Sequence, residues 1–265
     1  MYNKLTLARK WWRFYRTASN SAGHGIHSPF VFDFVKNILN DERWFYAFAP
    51  IEMSRNKLLR DHSFIQVDDL GAGSVVSKSN RRRVNEIAKH ALKSKKLAQL
   101  LFRIANHYQP ETIVELGTSF GITTAYIAAA NGNANVFTIE GSPSVAAIAK
   151  NNFRELNVYN VHLLEGGFDS VLPQLLEKIK QVDFAFIDGN HRLDPTLRYF
   201  ELLFKHADEQ TILVFDDIHW SEEMETAWKI IKDHHGVTCT IDLFFIGLVF
   251  FRKDFKSKQH FTIRY

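Results

Sequence analysis

The stretch Thr112–Ala130, TIVELGTSFGITTAYIAAA, constrains the fold more than any other part of the chain. Ile113, Val114 and Leu116 make a short apolar run of β character, Gly117 and Gly121 bracket a tight turn, and Ile122–Ala130 has the alanine-rich apolar content of a helix packed on a sheet. Strand, glycine turn and helix in that order predict a βα unit whose turn opens backbone N–H groups to a ligand. The spacing is G-x-x-x-G behind the acid Glu115, whereas the dinucleotide fingerprint is G-x-G-x-x-G and cradles a pyrophosphate. A nicotinamide cofactor therefore fits poorly. A second β run, Val136–Ile139, ends in Glu140, 19 residues beyond Gly121. A carboxylate at the end of the second strand of a βαβ unit accepts the protons of ribose hydroxyls.

From Glu111 onward strand and helix patterns alternate, which predicts a doubly wound, mostly parallel α/β sheet with helices on both faces. The strands read as Ile113–Leu116, Val136–Ile139, Val161–Leu164, Phe184–Ile187 and Ile212–Phe215. Near the end, VTCTIDLFFIGLVFFR holds two β runs around a tight Phe244–Gly247 connection. That connection is too short for a helical crossover, so the pair is expected to be an antiparallel hairpin.

With ELGTSFG and TIEGSP in place, the chain resembles the class I S-adenosylmethionine-dependent methyltransferases. Their first motif is an acid-x-Gly-x-x-x-Gly turn, and their second strand ends in an acid. The resemblance implies a Rossmann-like methyltransferase fold over 94–265. It also implies S-adenosylmethionine as cofactor, bound by Glu115, Gly117, Thr118, Ser119, Gly121, Glu140, Gly141, Gly167, Phe168 and Asp188.

In a doubly wound sheet, ligands bind beyond the carboxyl ends of the strands, and here those ends are acidic. The fourth strand ends in Asp188 (FIDGNH) and the fifth in Asp216 and Asp217 (VFDDIHW). Three carboxylates at neighbouring strand ends repel unless a cation or protons compensate, and three oxygens suit Mg²⁺ or a similar hard ion. Helix capping is the competing use for one or more of them. This pattern narrows the resemblance to O-methyltransferases of the catechol and caffeoyl-coenzyme A type. Asp188 and Asp216 match that group's metal ligands, while Asp217 stands where Asn is usual. His191 lies where the catechol enzymes place a Lys base, so the resemblance implies a proton-accepting role for His191 beside Asp188. An imidazole suits that role near neutral pH. Orienting a carboxylate is its alternative use. His219 is a substitute base and Trp220 an aromatic wall.

The expected reaction is therefore O-methylation of a small-molecule hydroxyl assisted by a divalent cation. A nucleic-acid N-methyltransferase would show an Asp/Asn-Pro-Pro-aromatic tetrapeptide after the fourth strand, and this chain has DGNH. Nucleic acid is accordingly not the expected partner. A non-catalytic, cofactor-binding or membrane-associated scaffold is the rival of another class.

Charge divides the chain. Residues 1–109 carry 19 Lys+Arg against 8 Asp+Glu, a net of +11, while 110–265 carry 14 against 21, a net of −7. Residues 1–93 read as a mainly helical cap. Leu7, Trp11, Phe14, Tyr15 and Ala18 recur at helical spacing among Lys4, Arg9, Lys10, Arg13 and Arg16. The stripe is expected to dock on this protein or on a second copy in a homodimer, with membrane-surface contact through residues 4–18 as the alternative. Ser28 and Pro29 read as the N-cap and first residue of a helix with Val31, Phe34, Val35, Ile38 and Leu39 on one face. His24 and His27 precede it in a turn. A second glycine stretch, DLGAGS, lacks an apolar strand before it and an apolar helix after it, and reads as a mobile loop or lid. The single cysteine, Cys239, excludes an intramolecular disulfide, and with no signal-peptide pattern the expected compartment is the cytoplasm. The longest apolar run, Leu243–Phe251, falls far short of the ~20 residues that span a bilayer.

Overall fold

In the computed structural model, which describes residues 1–20, 27–67 and 80–265, several helices begin at a short polar side chain that caps them, among them Asn3 and Ser28. Asn3 accepts from the Thr6 N–H (2.8 Å) at the start of α1 (Lys4–Thr17). Ser28 caps α2 (Pro29–Phe34), with Pro29 at its first turn, as the sequence predicts. The chain then widens into a π-turn at Val35–Leu39. It continues through α3 (Phe48–Arg60), β1 (Phe64–Gln66), β2 (Arg81–Arg83), α4 (Val84–Ala91) and α5 (Lys95–Tyr108). The alternating part follows as β3 (Thr112–Leu116), α6 (Ile122–Ala130), β4 (Asn135–Glu140), α7 (Pro143–Glu155), β5 (Val161–Glu165) and α8 (Phe168–Leu176). It ends with β6 (Phe184–Ile187), α9 (Leu193–Phe204), β7 (Ile212–Asp216), α10 (Glu222–Asp233), β8 (Cys239–Asp242), β9 (Ile246–Phe250) and β10 (Gln259–Thr262).

The chain forms two compact units. One is Glu42–Lys178 and the other joins Met1–Asp41 to Ile179–Tyr265. In the Glu42–Lys178 unit, β3, β4 and β5 pair parallel in that order, with Glu115 opposite Thr138 and Glu140 opposite Glu165. Four of the five β3 residues are buried, the signature of a strand covered on both faces. Tyr126 of α6 is fully buried, and its hydroxyl donates to Glu52 of α3 (2.9 Å). Phe48 of α3 meets both Phe102 and Tyr126 edge-on or tilted, with ring centroids 4.9 and 5.4 Å away. The DLGAGS stretch lies outside the described residues, as does His24. Beside that stretch, β1 and β2 pair antiparallel with Phe64 opposite Arg83.

In the other unit the strand order is β10-β8-β9-β7-β6. β6 and β7 are parallel, and β9 runs against both β7 and β8, so the expected antiparallel hairpin is present. Its connection is Leu243–Phe245, which begins one residue and ends two residues earlier than the sequence suggests, because Ile246 and Gly247 already pair with Asp216 and Phe215. β10 adds a parallel strand beside β8 that the sequence does not announce. The segment after α1 closes on it: the Ser19 N–H donates to the Thr262 carbonyl and the Arg264 N–H to the Ser19 carbonyl. The fold class is thus mixed α/β with mostly parallel strands, as predicted. No helix among the described residues is long and apolar enough to cross a membrane.

The stripe expected on α1 docks only in part, through Phe14 and the buried Ala18. Phe14 packs on Phe244 and His219, and Lys10, assigned to the solvent side from sequence, pairs with Glu225 at 2.9 Å. Trp11 and Tyr15, assigned to the docked side, are instead 39% and 42% exposed. The Lys10–Glu225 ion pair and the ring contact of Phe14, itself a stripe residue, set the rotation of the helix, which hydrophobic spacing alone leaves open.

Candidate active site

The glycine turn is built from residues outside the ordinary backbone wells. Gly117 (φ 104°), Ser119 (φ 48°) and Gly121 (φ 76°) all take positive φ, and a Cβ on Gly121 would sit 2.5 Å from a ring carbon of Phe153. The Gly117 and Thr118 N–H groups donate to the Ile139 carbonyl (3.1 and 3.2 Å), which ties the turn to the end of β4. Glu140 follows directly. Its Oε2 accepts from the Ser119 N–H and its Oε1 from the Ser142 N–H, both at 2.9 Å. Burial raises the pKa of Glu140, and the N–H groups of Ser142, Ser119 and Gly141 oppose that rise. Turn and acid are one construction, with the carboxylate held rigid by backbone donors. After β5 the constrained glycine is Gly166 (φ 138°), whose N–H donates to the Glu140 carbonyl (2.9 Å). Gly167, predicted from sequence, caps α8 in extended conformation just before Phe168, and only Ser170 Oγ (3.9 Å) lies within 4 Å of where its Cβ would be.

Glu115 is fully buried, and burial pushes its carboxyl up to about 7 against the opposing hydroxyls of Thr124 and Thr138. Both hydroxyls donate to Oε2, Thr138 at 2.6 Å, and Thr118 lies 2.6 Å from the Thr138 oxygen. Glu115 Oε1 and Ser119 Oγ are buried with no protein partner. Between the usual carboxylate value of 4.5 and about 7, the folded protein holds a proton on Glu115 that the unfolded chain has released. Stability therefore falls as pH rises through that window, by about 3 kcal/mol in all. Glu115→Gln, which cannot titrate, should match the parent at pH 4.5 and exceed it by roughly that amount at pH 8. Denaturant unfolding at the two pH values measures it, and parallel pH dependence in the two proteins would refute the assignment.

The acids after the fourth and fifth parallel strands lie in the other unit. Asp188 follows β6, and Asp216, 1% exposed, is the last residue of β7. Ligand atoms of Asp188, His191 and Asp216 all lie within 4.8 Å of one another, and His191 Nε2 is 3.6 Å from Asp188 Oδ1. The three-carboxylate set expected from sequence is thus rearranged: His191 joins the group and Asp217 is not part of it. Asp217 has left-handed backbone (φ 53°) and donates its N–H to the Phe245 carbonyl (2.7 Å). Asp is one of the few residues besides glycine that tolerate that conformation.

His219 is not free to act as a base. Its Nδ1 lies 3.1 Å from Glu225 and its Nε2 2.8 Å from Asp242, and Trp228 Nε1 also donates to Asp242 (3.2 Å). Burial alone would lower its pKa, but Asp242 and Glu225 together raise it. Tyr2 and Lys10 complete the cluster on Glu225. It anchors α1. Trp220 belongs to the same edge, its N–H on the Asp217 carbonyl and its own carbonyl accepting from Tyr2.

Residues 114–218 match the family model described as a methyltransferase domain, a stretch that contains Glu115, Glu140, Asp188, His191, Asp216 and Asp217. The chain is 26% identical over 148 residues to an uncharacterised protein of Acanthamoeba polyphaga mimivirus, covering 51% of this chain and 66% of that protein. It is 29% identical over 111 residues to the O-methyltransferase imqG of Aspergillus flavus, covering 40% and 44%. The matches thus span less than two thirds of either relative. The solved structure of a methyltransferase of Podospora anserina, bound to S-adenosylhomocysteine, superimposes with a TM-score of 0.60 at 13% identity, over 96% of this chain and 98% of that one. At that identity the likeness concerns the fold, and it takes in most of residues 1–93. Fold and glycine turn together are those of the class I methyltransferase fold, and residues 114–218 match a methyltransferase domain.

Proposed function

We propose that the protein transfers a methyl group from S-adenosylmethionine to a hydroxyl oxygen of a small molecule, with a divalent cation held by Asp188 and Asp216. The observation that carries the cofactor reading is Glu140, clamped by the Ser119 and Ser142 N–H groups at the end of β4. The buried, unpartnered Ser119 Oγ and Glu115 Oε1 fit a polar ligand at the turn, since buried polar atoms are rarely left without a partner. The carboxylates of Asp188 and Asp216, with ligand atoms within 4.8 Å of each other and of His191, fit a hard divalent ion held by the two acids with the imidazole beside it.

When bound, the cofactor supplies an electrophilic methyl group on a sulfonium and the cation supplies Lewis acidity. The chain does the rest. Glu140 accepts the ribose hydroxyls and the turn holds the nucleoside. Asp188 and Asp216 fix the cation. His191 accepts the proton of the acceptor hydroxyl, which positions an oxygen nucleophile for in-line attack. The single buried cysteine, its thiol pushed up to about 12 by burial, fits a reducing cytoplasm. The O-methyltransferase relative supports oxygen over nitrogen as the acceptor atom.

Titration calorimetry tests the cofactor. Binding of S-adenosylmethionine is expected, weakened by about 1–3 kcal/mol in Glu140→Ala as charge-assisted hydrogen bonds to the ribose are lost. Preference for a nicotinamide dinucleotide would sink the reading.

A further inference from the structure

The outward side of α1 is largely uncovered by the described residues, with the Arg264 guanidinium over one edge of it, 4.6 Å from the Tyr15 ring centroid. Leu5, Trp12, Tyr15 and Trp11 are 64%, 58%, 42% and 39% exposed. Leu5, Ala8, Trp12 and Tyr15 follow the i, i+3, i+7, i+10 spacing of one helix face. The rings form one platform, Tyr15 stacking on Trp11 at 5.2 Å and on Trp12 at 6.3 Å between centroids. Around it stand Lys4, Arg9, Arg13 and Arg16, all exposed and without an ion pair among the described residues, and α1 contains no acid. The helix cannot simply roll to hide the platform. Its other side is fixed by Lys10 and Tyr2 on Glu225, by Phe14 on Phe244, and by the Tyr2 N–H on the Trp220 carbonyl.

We propose that this face docks on an anionic lipid bilayer surface, with Leu5, Trp12 and Tyr15 at headgroup depth and the four cations on lipid phosphates. A rigid helix with an apolar stripe, tryptophans at the stripe and unpaired Lys/Arg on its margins meets the requirements of an interfacial anchor. Charge decides against a second copy of the same face. Two such helices would bring eight like charges together with no acid between them. An acidic lipid surface instead offers the complementary charge, and each cation near such a surface strengthens binding about fivefold. Docking would carry the methyltransferase to acceptors that partition into membranes.

Flotation of the full-length protein with vesicles tests this. Binding is expected to vesicles of phosphatidylglycerol mixed with phosphatidylcholine, to weaken as salt rises, and to be far weaker on phosphatidylcholine alone. Arg9→Gln/Arg13→Gln/Arg16→Gln should lower the partition coefficient roughly a hundredfold. Trp12→Glu should abolish flotation. All four positions are solvent-exposed, so unchanged unfolding midpoints are expected and would separate lost docking from lost fold. Absence of flotation at low salt would overturn the proposal. So would concentration-dependent dimerisation that Trp12→Glu removes, which would assign the face to a second copy. Preferential binding of a single-stranded oligonucleotide over the vesicles would overturn it likewise.

Discussion

Asp216→Asn, which preserves the volume and packing at the end of β7, is expected to lower methyl transfer by roughly 10³-fold or more while leaving S-adenosylmethionine affinity unchanged. Excess chelator on the parent protein should do the same, and re-addition of a divalent ion should restore turnover. The expectation has two separate supports. Asp216 lies with Asp188 and His191 in a group whose ligand atoms fall within 4.8 Å, close enough for one hard cation to be shared by the two carboxylates. An alcohol or phenol near neutral pH, for its part, is a weak nucleophile until its proton is loosened. Cofactor affinity should survive because the groups that clamp the ribose acid, Ser119 and Ser142, contribute nothing to that cluster. His191→Ala separates the two uses of the imidazole. A fall of ~10²–10⁴ in rate with metal binding intact identifies the proton acceptor. A fall accompanied by loss of the ion identifies a ligand. Full activity in excess chelator would falsify the cation assignment.

How much of this was legible beforehand depended on whether the deciding interaction was local. β3 is covered on both faces, so its apolar run marked the strand to within a residue, and the glycines of the turn announced positive φ by their identity. Glu140 was legible because a strand end fixes where its carboxylate lies. Gly166 was not, since two adjacent glycines look alike and only the backbone shows which one takes φ 138°. The role of His219 was equally hidden. It depends on Asp242, 23 residues on, and on Glu225, itself held by Lys10 and Tyr2 from the far end of the chain. The rotation of α1 follows from those same contacts. Its apolar and aromatic residues surround the helix closely enough that spacing does not separate Phe14 and Ala18, which dock, from Trp11 and Tyr15, which stay largely exposed. β10, QHFT, has no apolar run and exists through its pairing with β8.

Gly121→Ala should destabilise the protein by about 2–5 kcal/mol. Two costs add. At φ 76° a side chain meets the backbone sterics that disfavour left-handed conformations, about 1–2 kcal/mol. The new Cβ would also lie 2.5 and 2.6 Å from Cε1 and Cζ of Phe153 and 3.3 Å from the Cβ of Ala149. Phe153 is only 6% exposed and cannot swing into solvent, so relief requires repacking of α7 at about 1–3 kcal/mol. The second cost can be isolated. Phe153→Ala alone should cost about 3–5 kcal/mol as a core truncation. Combined with Gly121→Ala it should cost less than the sum, by about 1–3 kcal/mol, because the ring that the methyl group strikes is gone. The part due to φ remains in the double variant, which therefore does not recover fully. Chemical denaturation of the four proteins gives the cycle. Strict additivity would mean that the strand–turn–helix junction tolerates a side chain at Gly121, and that backbone conformation alone explains the glycine there.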